Sequence, residues 1–103
     1  MSQFALYLMT FKGYKTLDVL IKNNQCELIS YVIFGKDKNI EKDYSEEIIH
    51  LCQENNIRCF SRIEIKPNLS FKYIITISWR WIIKTEVKSP IIVLHDSLLP
   101  KYR

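Results

Sequence analysis

The chain has 103 residues, of which 48% are hydrophobic and 25% charged. That length allows at most one domain with a modest core, and the composition excludes a disordered or low-complexity chain. The net charge of +4 is uneven: residues 1–51 carry six lysines and seven acids, and residues 52–103 carry nine lysines and arginines and four acids.

Phe4 to Met9 is a continuous apolar run, the pattern of a strand buried on both faces of a parallel sheet. Thr10-Phe11-Lys12-Gly13 reads as the turn out of it, with Gly13 supplying a positive φ or a close backbone approach. Leu17, Leu20 and Ile21 then recur at helical spacing, which predicts a helix over Tyr14 to Asn23 stopped by Asn23-Asn24. Leu28 to Phe34 is a second strand, rich in branched and aromatic residues. After the polar loop Gly35 to Asn39, Asp43-x-x-Glu46 has the spacing of a capping box. The helix behind it places Ile48, Leu51 and Cys52 on one face and ends at Asn55-Asn56. Ile57 to Ser61 is a short third strand, and Arg62 to Ser70 is irregular, turning at Pro67-Asn68. Tyr73 to Trp79 is a fourth strand. Arg80 to Val87 has room for one or two helical turns before Ser89-Pro90. Ile91 to Leu94 is a fifth strand that runs directly into His95.

Strands alternating with helices predict an α/β layered, Rossmann-like domain with a mainly parallel sheet flanked by helices. Ligands of such sheets sit beyond the carboxyl ends of the strands. Trp79-Arg80 and His95-Asp96 both fall there. The first strand-helix turn has one glycine, so it matches neither G-x-G-x-x-G nor a P-loop. Cys26, Cys52 and Cys59 show no C-x-x-C spacing, which points to thiols of a cytoplasmic protein rather than a disulfide framework or a zinc site. His50 and Cys52 lie two apart and point different ways on a helix, so no metal is expected. No apolar segment approaches the roughly 20 residues of a membrane span.

Several residue groups have chemistry to offer. His95, at a strand end, suits acid, base or electrostatic work near neutral pH. Asp96 is its neighbour and points to the opposite face of the strand, so it makes no dyad with it. Trp79-Arg80-Trp81 has the makings of a stacking site for a planar ligand, and equally of two core rings around an exposed arginine. The basic C-terminal half suits phosphate or nucleic acid, and equally a solvated surface.

The stretch His95-Asp96-Ser97-Leu98-Leu99-Pro100-Lys101-Tyr102-Arg103 resembles the H-x-S-L-L-P-x-Y-R-G signature of the formyltransferases that use 10-formyltetrahydrofolate. These include enzymes acting on methionyl-tRNA, glycinamide ribonucleotide and nucleotide-linked amino sugars. Seven of the eight specified positions match, and the eighth would follow Arg103. The resemblance implies that the chain is the N-terminal part of the family's catalytic domain. It assigns His95 as the catalyst that stabilises a formyl oxyanion. Trp79, Arg80, Trp81, Ile82 and Ile83 would be the segment along the folate pterin. Ser97, Leu99, Pro100, Tyr102 and Arg103 would form the loop beside the amine acceptor.

This chain departs from the family in two ways. The family's asparagine two residues before the histidine is Val93 here, which removes one donor to the oxyanion. The family's downstream aspartate lies beyond these 103 residues, so the chain alone is expected to be inactive. The expected acceptor is a small amine, such as that of a nucleotide-linked amino sugar, with methionyl-tRNA second. A degenerate domain that binds folate or a partner, and a homodimer formed through an open sheet edge, are the non-catalytic alternatives.

Overall fold

Unbroken apolar runs, separated by amphipathic stretches, dictate the architecture. A computed structural model describes residues 3–38, 42–63, 71–79 and 91–94. In chain order it contains strand β1 (Phe4–Leu8), helix α1 (Thr10–Lys22), strand β2 (Ile29–Phe34), helix α2 (Ser45–Glu54), and strands β3 (Cys59–Ser61), β4 (Tyr73–Ile77) and β5 (Ile91–Leu94). A short 3-10 turn, Cys26–Leu28, leads into β2. The five strands form one sheet in the order β3-β2-β1-β4-β5, and every neighbouring pair is parallel. The α/β layered, Rossmann-like expectation therefore holds.

β1 is the central strand, and it is buried from Ala5 to Leu8. Alternation along it sorts two cores. Leu6 and Leu8 pack with Leu17 of α1, Ile48 and Cys52 of α2, and Val32 and Phe34 of β2. Both helices thus lie on one face. Ala5 and Tyr7 point the other way, to Tyr31, Ile33 and Ile74, with Phe60, Phe71 and Trp79 packed against them. Tyr31 meets Phe60 and Phe71 edge-on, at 6.1 and 5.9 Å between ring centres. Burial, and for Tyr31 a hydrogen bond with Tyr7, pushes the Tyr7 and Tyr31 phenols above their ordinary range.

Both helices end as the asparagine pairs predict. Asn23 and Asn55 each turn their side-chain amide back onto the carbonyl four residues earlier, Val19 and Leu51, at 2.8 Å. Asn24 and Asn56 then take the left-handed conformation, with φ of 58° and 56°, which asparagine tolerates better than most residues.

The helix starts differ from expectation. α1 begins at Thr10, four residues before the predicted Tyr14, so Thr10 to Gly13 is its first turn and not a loop. Gly13 needs no positive φ. It is there for close approach: a Cβ would meet the Leu8 Cβ at 3.1 Å and its backbone carbon at 3.2 Å. The capping box also fails to form. Tyr44 is the N-cap of α2, and Asp43 stands one residue before it. Strand limits shift by a few residues too: β3 starts at Cys59 and β4 stops at Ile77. No described helix is long and apolar enough to cross a membrane.

Candidate functional site at the carboxyl edge of the sheet

The strand order reverses between β1 and β4, because β2 and β3 lie to one side of β1 and β4 and β5 to the other. A crevice opens at such a reversal, beyond the carboxyl ends of the two strands. Leu8 and Ile77 are the last paired residues there. The Met9 N–H donates to the Ile77 carbonyl at 3.3 Å and closes the bottom of the crevice.

Both strands leave the sheet in a left-handed conformation: Thr10 has φ 67° and Ser78 φ 56°. For a β-branched threonine this is an outlier that costs about 1–3 kcal/mol. It is held by a hydrogen bond from the Thr10 N–H to the Asp43 carbonyl, 3.0 Å. The Thr10 hydroxyl oxygen is buried and has no hydrogen-bond partner among the described residues. α1 carries no acid in its first turn and no side-chain cap. Trp79 follows Ser78 beyond the end of β4, half-buried, with its ring edge-on to Tyr7 at 5.2 Å.

The loop from β2 to α2 reaches the same edge. Asp43 accepts hydrogen bonds from the Ser45 N–H and the Asp37 N–H, each 2.9 Å. Partial burial opposes its charge, but these donors and nearby Lys36 outweigh it, so the carboxyl sits below its ordinary range. Between these fixed points Tyr44 adopts φ 62°. Its ring stacks on Tyr14 of α1 at 5.7 Å and meets Phe11 edge-on at 5.6 Å. Lys42 places its ammonium 4.6 Å over the Tyr44 ring and bonds Glu47 at 2.7 Å.

Of the residues singled out in the sequence, the structure describes Trp79 and sets it on the expected edge. β5 ends at Leu94, on the same edge as β4, with which it pairs in parallel. Arg80, Trp81, Ile82, Ile83, His95, Ser97, Leu99, Pro100, Tyr102 and Arg103 lie outside the described residues. His50 pairs with Glu54 at 3.4 Å on the exposed face of α2. The three cysteines are free thiols. A hydrogen bond with Cys59, and then burial, push the Cys52 thiol far above its usual range, which makes it a poor nucleophile.

Sequence reasoning missed the ring cluster at the start of α1. Phe11 and Tyr14 have the i, i+3 spacing of one helix face, but reading Thr10 to Gly13 as a turn hid it. Tyr44 joins from thirty residues away, through a loop whose fold no local pattern announces. Compared with protein-family models, curated proteins and solved structures, the chain matches none.

Proposed function

We propose that this chain carries the N-terminal part of an N-formyltransferase that moves a formyl group from 10-formyltetrahydrofolate to an amine. The observation that carries the reading is the nine-residue stretch His95 to Arg103, which follows directly on β5. The parallel sheet supports it, since a histidine after such a strand belongs to the edge where α/β proteins work.

The folate is the donor substrate. The acceptor amine attacks the formyl carbon, a new N–C bond forms, and negative charge develops on the formyl oxygen. His95, protonated, stabilises that charge. Collapse breaks the bond to the folate nitrogen, which leaves with a proton that the amine has lost. Trp79, Arg80, Trp81, Ile82 and Ile83 line the pterin. Ser97, Leu99, Pro100, Tyr102 and Arg103 face the acceptor, for which the amine of a nucleotide-linked amino sugar is the first choice and methionyl-tRNA the second. Val93 stands where the family has an amide donor, so one oxyanion contact is missing. That loss favours a slow enzyme, or a folate-binding domain without activity, as the second reading.

The test is a formyl-transfer assay on the intact gene product with 10-formyltetrahydrofolate, a panel of amino-sugar nucleotides and charged initiator tRNA. Transfer that His95→Ala abolishes, with folate binding unchanged, supports the reading. Inactivity on every acceptor, together with no folate binding, sinks it. Folate binding without transfer selects the second reading. In an active enzyme, Val93→Asn tells whether the missing donor limits the rate.

A further inference from the structure

We infer that Cys52 and Cys59 form a reversible redox pair: two thiols in the reduced chain, and in the oxidised chain one disulfide that ties helix α2 to strand β3. The topology brings them together. Cys52 follows Ile48 by one turn on the stripe of α2 that faces the sheet, and both are fully buried. Cys59 opens β3 and stands opposite Val32 of β2. Side chains alternate between the faces of a strand. Phe60 packs on the far face, with its ring edge-on to Tyr31. Cys59 packs on the helix face, against the core that holds Cys52, Val32 and Phe34. The connection between them is short. α2 ends at Glu54 and the chain turns back at once, with the Ile57 N–H donating to the Cys52 carbonyl at 2.9 Å. A hydrogen bond already joins the two thiols.

The two thiols differ in access. Cys52 is sealed in the core, whereas Cys59 is half-buried on β3, the outer strand of the described sheet. An oxidant therefore meets Cys59 first. With a small disulfide such as oxidised glutathione, the Cys59 thiolate attacks one sulfur, a mixed disulfide forms, and one glutathione thiolate leaves. The Cys52 thiol then gives up its proton and attacks the Cys59 sulfur. The intramolecular S–S bond forms, and the second glutathione leaves and takes up a proton. Two protein thiols are oxidised, and one glutathione disulfide is reduced to two thiols. Burial opposes the Cys52 thiolate but not the product, since a disulfide carries no charge and suits an apolar core. Contact between the sulfurs offsets the small share of thiolate, because the second step is intramolecular. Among the described residues no group of three His, Cys, Asp or Glu side chains could hold a metal ion, so the pair fits covalent chemistry better than ligation. Neither thiol belongs to the crevice between β1 and β4, because β2 separates β3 from β1. The pair does not depend on the formyl-transfer reading, and its test uses no folate.

The test is equilibration of the folded protein in glutathione redox buffers at neutral pH, blocking of the remaining thiols with N-ethylmaleimide in urea, and peptide mass spectrometry. As the oxidised share of the buffer rises, two thiols should be lost together, with Cys52 joined to Cys59 and Cys26 still blocked. Reduced glutathione should restore both. The equilibrium constant for the link should be at least roughly tenfold higher in the folded protein than in urea, because the fold holds the sulfurs in contact. Cys52→Ser should leave glutathione standing on Cys59, and Cys26→Ser should leave the link unchanged. The pair is overturned by a wild type that keeps three blocked thiols in every buffer, by glutathione that stays on Cys59 of the wild type, by a link through Cys26, or by a link no more favourable in the folded protein than in urea.

Discussion

Helices α1 and α2 rise from the same edge of the same sheet and pack against the same face, yet their first turns are built in opposite ways. α2 is closed by its own chain. Asp43 accepts from Ser45, Glu46 and Glu47 stand in the first turn, and Lys42 pairs with Glu47. Free N–H groups at a helix start attract negative charge, and α2 supplies that charge itself. α1 supplies none. It has no acid in its first turn, a threonine at φ 67° whose buried hydroxyl has no hydrogen-bond partner among the described residues, and a half-exposed phenylalanine. One helix start is closed by acids of its own segment, and the other is held by the backbone bond from Thr10 to the Asp43 carbonyl.

Substitutions at five positions break or sharpen this contrast. The largest effect belongs to Gly13→Val. The side chain must enter the 3.1 Å space against Leu8, so urea denaturation should show a loss of about 1–3 kcal/mol. Asp43→Ala removes the acceptor for two backbone donors and loosens Tyr44. It should cost about 1–2 kcal/mol, read as a lower urea midpoint at unchanged slope. Thr10→Gly acts in the opposite direction: it relieves the left-handed strain and deletes the orphaned hydroxyl. A gain of about 1 kcal/mol is expected, net of the added chain entropy of glycine. A loss would show that the hydroxyl is satisfied in solution.

The acid titration sharpens the same point. The folded-state pKa of Asp43 is depressed, so its contribution is present above the ordinary value of 3.8 and is lost as pH falls through the lower folded value. Wild-type stability should therefore decline below about pH 4, and Asp43→Asn should flatten that decline. The smallest effects lie on the surface. Lys42→Ala should change stability by less than about 0.5 kcal/mol. Phe11→Ala should likewise leave the fold nearly unchanged, because half of the ring already faces water.

The parallel sheet was legible in the sequence because buried strands write themselves as unbroken apolar runs: Phe4 to Met9 and Leu28 to Phe34 need no tertiary information. The helix ends were legible through Asn23-Asn24 and Asn55-Asn56, since asparagine makes both the amide bond and the left-handed turn. The helix starts were not. Gly13 looks like a turn residue, but its place is set by a backbone contact with Leu8 that only the folded chain has. Asp43-x-x-Glu46 has the spacing of a capping box, but the chain places Tyr44 at the cap and uses Asp43 to tie Asp37 as well. The ring cluster and the thiol pair Cys52 and Cys59 are products of folding, not of local pattern. Of the candidate site, the position of Trp79 beyond β4 followed from the strand order. Its edge-on contact with Tyr7 did not.

The most direct test of the contrast between the two helix starts is amide hydrogen exchange of the labelled protein. The account predicts that the Ser45 and Asp37 amides, bonded to Asp43, are protected and lose that protection in Asp43→Ala, while the first-turn amides of Phe11 and Lys12 exchange fast in both proteins. Slow exchange at Phe11 and Lys12, or fast exchange at Ser45 and Asp37 in the wild type, would contradict it.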